Sequence, residues 1–309
     1  MKSIVITGAD GFIGSHLAAY ISRQDYKVYA VVMPESPTKN RIEGIKNVVL
    51  LEGDIARFEE LGARLPREDV SALIHLAWAG VSPEARQSTE LQAENIDLAL
   101  NAVRLANLVK AERFVFPGST LEYSYCGQLI NETAVPSPQN AYGAAKISAR
   151  YMCEALCREL SVPFVYAVLT GIYGANRNDN NVITYCIREL LQGNKPQFTK
   201  LEQKWDYIHI DDLANAMFLI ATKGKNGAFY SVGHGDNWPL ANYIDIIRGC
   251  IDPKLPVGIG ELPYPNNRLP SSCMDLTRLC EDTGFAPAIS FEDGIKPVIQ
   301  QIRLQLERG

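Results

Sequence analysis

Ser3-Ile4-Val5-Ile6-Thr7-Gly8-Ala9-Asp10-Gly11-Phe12-Ile13-Gly14 decides the fold. A short β-prone run enters three glycines at three-residue spacing, and helical sequence follows. A side chain at Gly8 or Gly11 would block the close approach of a pyrophosphate to the backbone, while Gly14 lets helix and strand pack tightly. The helix N-terminus then offers aligned N–H groups and a positive dipole end to an anion. Alone, three such glycines fit any tight strand-to-helix turn. At the first strand of a repeating βα chain they favour dinucleotide binding.

That rhythm is present. Strand-like runs at Ser3 to Thr7, Val28 to Val32, Asn47 to Leu51, Ala72 to Leu76, Arg113 to Pro117 and Val162 to Leu169 alternate with stretches long enough for helices. The expected fold is therefore α/β, a Rossmann-like doubly wound parallel sheet, with a smaller C-terminal substrate domain. Between Ser88 and Val109 the residues Leu91, Leu98, Ala102, Leu105 and Val109 recur at helical steps, and Asn140 to Leu160 is similarly helical. Beyond about residue 170 the rhythm degrades into the polar loop Asn176 to Asn181 and the proline-punctuated stretch from Pro253 to Pro270. Asp206 to Ile210 and Ala228 to Val232 still read as strands. The expected division is thus interleaved: residues 1–170 with about 205–235 form the dinucleotide domain, and about 171–204 with 236–309 form the substrate domain.

Composition narrows the partners. The chain has 309 residues, 47% hydrophobic and 21% charged, and its 30 basic and 35 acidic residues give a net charge of -5, so no electrostatic footprint speaks for nucleic acid or an anionic membrane. No apolar run approaches the ~18 residues of a spanning helix, and the few apolar residues after Met1-Lys2-Ser3 are too short for a signal peptide, so a cytoplasmic protein is expected. Seven cysteines with no CxxC and no histidine at ligand spacing give no metal site, and Cys153 with Cys157 read as core packing. His16, His75 and His209 read as satisfied structural histidines.

Two further patterns carry chemistry. Asn140-Ala-Tyr142-Gly-Ala-Ala-Lys146 places Tyr142 and Lys146 one helical turn apart, and an adjacent ammonium lowers a phenol's pKa toward the working range of an acid/base. Upstream, Phe114-Val-Phe-Pro-Gly-Ser119 puts a hydroxyl beyond the carboxyl end of a strand, where open α/β sheets bind ligands. Ser119 is equally readable as a turn or capping serine. For the cofactor, the second strand ends Val31-Val32-Met33-Pro34, with neither the carboxylate that accepts from a ribose 2′-OH nor a cation for a 2′-phosphate. Ser36, Lys39 and Arg41 follow as a hydroxyl and two cations, or as a solvated loop. The balance favours NADP over NAD.

Taken together, Gly8/Gly11/Gly14, Asp54, His75-Leu-Ala, Ser119, Tyr142/Lys146 and Ile172-Tyr-Gly174 resemble the extended short-chain dehydrogenase/reductases, the NAD-dependent epimerase/dehydratase family, over essentially the whole chain. The resemblance implies a cofactor site formed by the glycine turn with Phe12 and Ile13, by Arg41, by Asp54 and Ile55 near the adenine, and by Leu76, Ala77 and Leu169. It implies Tyr142 as acid/base, Lys146 on the nicotinamide ribose and tuning Tyr142, and Ser119 positioning the substrate oxygen. The implied substrate is a nucleoside-diphosphate sugar. Where 4,6-dehydratases carry an Asp-Glu pair after the active-site hydroxyl, this chain has Thr120 and Leu121. Gly-Ser-Thr-Leu-Glu122-Tyr123, Trp205 and Tyr264 are most similar to 4-ketoreductases of the CDP-abequose synthase type. Val168 and Gly171 replace a family Arg and Asn, so Arg177, Asn181 and Arg268 are candidates for the diphosphate, and Trp78, Thr120 and Glu122 for the sugar. The expected activity is NAD(P)H-dependent reduction of a nucleotide-linked 4-keto-6-deoxyhexose. A 4-epimerase with tightly held NAD is the nearest rival, a non-catalytic dinucleotide sensor a remoter one. A homodimer through the two long helices is expected from the same resemblance.

Overall fold

A computed structural model describes residues 1–124, 129–177, 181–264 and 271–308. Strand β1 (Ser3–Thr7) is buried along its whole length, the mark of a strand covered on both faces. After it come α1 (Phe12–Ile21), β2 (Lys27–Val32), β3 (Val48–Glu52), α2 (Phe58–Arg64), β4 (Val70–His75), α3 (Thr89–Leu108), β5 (Phe114–Ser119), α4 (Ala141–Glu159) and β6 (Phe164–Leu169). The six strands and two long helices expected from the sequence are all present. Polar caps set the helix starts: the Ser88 hydroxyl accepts from Leu91 N at 3.3 Å, and the Asn140 side chain accepts from Gly143 N at 2.8 Å.

The chain continues through β7 (Gly171–Tyr173), α5 (Val182–Leu191), β8 (Gln197–Phe198), β9 (Lys204–Trp205), β10 (Tyr207–His209), α6 (Ile210–Lys223) and β11 (Ala228–Val232). It then forms β12 (Trp238–Pro239), α7 (Leu240–Ile251), β13 (Gly258–Ile259), α8 (Thr277–Thr283) and α9 (Phe291–Arg308). Seven strands form one parallel sheet in the order β11-β6-β5-β4-β1-β2-β3. The winding reverses at β1, whose neighbours are β2 and β4, so a crevice opens beyond the carboxyl ends of β1 and β4.

Alternation along β1 divides the core. Ile4 and Ile6 join Leu17, Ile21, Leu213 and Met217 under α1 and α6, while Val5 joins Ala102, Val103, Ala149 and Cys153 under α3 and α4. A third cluster gathers Ile187 of α5, Tyr243 and Ile244 of α7, and Ile295 and Val298 of α9 around Tyr173. The expected strand at Asp206 to Ile210 forms as β10 but pairs with β7 outside the large sheet. The cause lies at the end of β6, where Thr170 Oγ1 donates to Asp206 O at 2.7 Å and draws the two segments together. β11 alone returns to the sheet, at the edge beside β6.

Candidate active site

The glycine turn occupies the crevice. Gly8 has φ +66°, and a Cβ there would lie 2.7 Å from Ala77 N, so the backbone of the segment following β4 already fills the space a side chain would need. A Cβ on Gly14 would press into Gly8 O and lie 2.7 Å from Ala9 Cα. Gly8 is thus required by the neighbouring strand and Gly14 by the turn itself, a different division from the anion-approach argument at Gly8. Gly11 caps α1 without a side-chain hydrogen bond, which leaves the first-turn amides of Phe12 and Ile13 to other acceptors. Leu76 N donates to Thr7 O at 3.1 Å, and Thr7 Oγ1 bonds His75 Nδ1 at 2.8 Å, fastening β4 to β1 behind the turn.

The segment after β2 folds back onto the turn. The Ser36 and Thr38 hydroxyls both donate to Asp10 Oδ2, Thr38 at 2.7 Å, and Arg41 Nη1 donates to Asp10 O at 3.3 Å. Lys39 instead pairs with Glu52 at 2.8 Å, at the end of β3. Of the two cations after β2, Arg41 is therefore the one at the turn. Asp54, after β3, caps a short turn by accepting from Ala56 N at 2.9 Å, and Ile55 beside it is buried in the second core.

Ser119 ends β5. Its hydroxyl accepts from Leu121 N at 3.2 Å, and Glu122 Oε1 accepts from Ser119 N at 2.6 Å, a reciprocal cap on the turn Thr120–Glu122. Glu122 is wholly buried, and its second oxygen accepts from the Tyr166 hydroxyl. Its carboxylate is enclosed in the interior, so the expected direct contact between Glu122 and substrate is corrected: the residue acts on the site through its hydrogen bond to Ser119 and through its charge. Thr120 sits beside it, largely buried.

Tyr142 and Lys146 rise from the first turns of α4. The Tyr142 phenol lies beside the Ser119 side chain, which lowers its pKa. Lys146 is buried, donates to Pro117 O at 3.1 Å, and holds its Nζ 3.8 Å from the centre of the Trp78 ring. Trp78 stands edge-on to Tyr142 at 6.0 Å and donates from Nε1 to Gln92 Oε1 at 2.8 Å. Ser119, Tyr142, Lys146 and Trp78 thus converge beyond β5.

The electrostatics differ from the sequence reading. Burial, and the Glu122 charge after it, push the Tyr142 phenol up to about 12, opposed by the Arg86 guanidinium and the neighbouring Ser119 side chain. Lys146 stands 6.0 Å from the Tyr142 ring centre and is itself driven below the ordinary ammonium range by burial. The cation facing Tyr142 is Arg86, 5.5 Å above its ring.

Arg86 went unnoticed in the sequence, as did the two residues that place it. Gln92 Nε2 donates to Gly80 O at 2.8 Å and Ala85 O at 3.1 Å, and Asn95 bonds both the N and O of Ala79. These amides clamp the 79–88 loop onto α3. The signal was a polar interruption of a helical face: the buried stripe runs Gln92, Asn95, Ala99, Ala102, not through Leu91 and Leu98.

The remaining candidates lie around this cluster. Leu76 and Ala77 follow β4, and buried Leu169 ends β6. Gly171 is required by packing, since a Cβ there would lie 2.7 Å from the Tyr207 ring. Arg177 donates to Ile172 O and sets its guanidinium 5.7 Å from the Phe12 ring, so it faces the start of α1. Asn181 caps α5, accepting from Ile183 N at 2.9 Å and Thr184 N at 3.1 Å. Arg268 lies outside the described residues. His75 departs from its reading as a satisfied histidine: its Nε2 is buried with no hydrogen-bond partner among the described residues.

A glycine-capped helix at the switch point of a doubly wound sheet, with Ser, Tyr and Lys side chains converging beyond β5, defines a dinucleotide-dependent enzyme of the extended short-chain dehydrogenase/reductase class. The chain belongs to the NAD dependent epimerase/dehydratase family, which matches residues 4–233. It is 24% identical over 272 residues to dTDP-D-glucose 4,6-dehydratase of Dictyostelium discoideum, covering 82% of this chain but only 62% of that protein. It is also 24% identical over 320 residues to GDP-6-deoxy-D-mannose reductase of Pseudomonas aeruginosa, covering 96% of each. A solved UDP-N-acetylglucosamine 4-epimerase from Methanobrevibacter ruminantium, in complex with UDP-N-acetylmuramic acid, superposes with a TM-score of 0.84 at 22% identity, over 98% of this chain and 99% of that one. Among the described residues no helix is long and apolar enough to cross a membrane.

Proposed function

We propose that the protein is an NADP(H)-dependent reductase acting on the C4 ketone of a nucleoside-diphosphate-linked 4-keto-6-deoxyhexose, with Tyr142 giving its proton to the developing alkoxide. One observation carries the choice against elimination: after Ser119 the turn following β5 has Thr120 and Leu121, and its single carboxylate, Glu122, is buried. Elimination of water needs an acid and a base on the sugar; ketone reduction needs, besides a hydride from the dinucleotide, only the proton donor that Tyr142 supplies.

The residues present fit a dinucleotide. The uncapped first turn of α1 suits a diphosphate, and Arg41 beside Asp10, with no carboxylate closing β2, supports a 2′-phosphate. When bound, the cofactor carries the hydride. Ser119 orients the ketone oxygen, Tyr142 protonates it, and Lys146 presents its ammonium beneath. Arg86, over the Tyr142 ring, would meet polar groups of the sugar nucleotide. In this reading residues 1–170 with about 205–235 hold the dinucleotide, and 171–204 with 236–309, built on the third core, hold the sugar nucleotide. We further place the enzyme in the cytoplasm as a homodimer through α3 and α4, the latter exposing Tyr151 and Met152; a sedimentation mass of one chain at micromolar concentration would remove that pairing.

The test is to incubate the purified enzyme with a nucleotide-linked 4-keto-6-deoxyhexose and NADPH or NADH, and in parallel to denature it and assay released dinucleotide. Stoichiometric consumption of NADPH supports the reductase. Released NAD with no net consumption would replace it with a 4-epimerase. Tyr142→Phe is expected to lower kcat by about a hundredfold or more while leaving cofactor affinity in place.

A further inference from the structure

The buried Glu122 carboxylate has no part in the reaction as described, yet two of the groups around it, Ser119 and Lys146, belong to the site. One oxygen holds the Ser119 amide at 2.6 Å and the other takes the Tyr166 hydroxyl. The residue is fully enclosed, and Gly118 beside it has no room for a Cβ, which would run into the Tyr166 hydroxyl and lie 2.7 Å from Glu122 Oε1. Two cations of α4 lie beside it: Lys146, whose ammonium donates to Pro117 O two residues before the Ser119 amide that Glu122 holds, and Arg150. Arg150 is committed elsewhere: its guanidinium lies 4.6 Å from the Tyr166 ring centre and 5.0 Å from that of Phe229, and it donates to the Tyr123 hydroxyl at 3.1 Å. Lys146 has the Pro117 carbonyl and aromatic faces around it, with no carboxylate in ion-pair contact among the described residues.

We propose that Glu122 is a positioning residue of this site: beneath the end of β5 it fixes Ser119 toward Tyr142 and supplies the buried counter-charge that keeps Lys146 an ammonium. A glutamine would complete the same cap, so the cap alone does not require the charge. Burial drives Glu122 up and Lys146 down, each toward its neutral form, while their mutual attraction and the hydrogen bonds from Tyr166 and Ser119 oppose this. Tyr142 and Tyr123 also feel the Glu122 charge, which raises both phenols. The inference rests on the reading of Tyr142 as proton donor only for its effect on rate.

The sign is fixed. Removing the anion lowers the pH at which Lys146 loses its proton, so the alkaline limb of the activity moves to lower pH. The test is the Glu122→Gln enzyme without cofactor, with isotope-labelled lysine followed by NMR at Cε, the Lys146 resonance being identified by its loss in Lys146→Ala. Its titration is expected to fall by about one unit, and the alkaline limb of kcat to follow. Tyr166→Phe, which removes one donor to the carboxylate, is expected to give a smaller shift in the same sense, and it serves if Glu122→Gln does not fold. A folded Glu122→Gln with unchanged Lys146 titration and unchanged pH profile overturns the proposal. So does an unchanged titration in Tyr166→Phe where it alone folds. An active Tyr142→Phe would instead overturn the proton-donor reading, leaving the lysine titration to decide on Glu122.

Discussion

His75 shows what a single buried ring does to the whole protein's response to acid. It lies fully enclosed at the end of β4, stacked on Phe114 at 6.4 Å and Phe116 at 6.1 Å, with one nitrogen on Thr7 and the other unpartnered. Burial, with the Lys146 charge behind it, pushes its pKa down to about 3. An unfolded histidine titrates near ~6.5, so the unfolded chain binds this proton first and stability falls as pH drops through that value. From pH 7 to pH 5 the loss from this residue is about 2 kcal/mol. Urea midpoints at the two pH values should therefore differ less in His75→Asn than in the parent, and an equal difference would remove His75 as the source. At this scale the sequence was informative about placement, its spacing bringing Gly8, Gly11 and Gly14 to the turn after β1 and Tyr142 and Lys146 to the first turns of α4. It was silent about Arg86, because nothing in Pro83-Glu-Ala-Arg86 announces which ring the chain will fold it over. It misjudged the electrostatics of Tyr142 for a related reason: helical spacing brings Lys146 alongside but does not reveal that its ammonium is turned under Trp78.

Elements were legible where one physical rule decides them. Short buried strands separated by helical periods announce a parallel sheet, and Ser88 and Asn140 mark helix starts by their caps. β10 was expected as a strand, but β7 and its pairing with β10 were not, because a two-strand pairing set by the Thr170 bond to Asp206 leaves no trace in local sequence. Two predictions belong here. Gly14→Ala forces a methyl into the Gly8–Ala9 backbone, which a rigid turn does not yield cheaply, so α1 should shift from β1. The expected cost is about 1–3 kcal/mol of stability with weakened dinucleotide binding, read by denaturation and by cofactor titration. Asn95→Ala releases the 79–88 loop that carries Arg86. It should raise KM for the sugar nucleotide severalfold with little change in dinucleotide affinity, whereas an unchanged KM would show that the loop needs no clamp.

For the molecule as a whole, a ligand that binds only the folded state stabilises it by mass action. At about a hundredfold its Kd, the preferred dinucleotide should add about 2.7 kcal/mol and raise Tm by a few degrees. NADPH is expected to exceed NADH at equal concentration; the reverse order would retire Arg41 as a 2′-phosphate contact. Tyr142→Phe should keep this shift, because the phenol serves chemistry more than binding. The sheet order also bears on how the protein is made. β6, apolar and buried throughout, is paired on one side with β5 and on the other with β11, which arrives only after residues 171–227. While the chain emerges from the ribosome, Phe164-Val-Tyr-Ala-Val-Leu169 is an open template for any extended strand that meets it. A fragment ending near residue 170, though it contains the glycine turn and the Tyr–Lys pair, would carry that sticky margin permanently and clump with its own copies instead of folding as a small independent unit.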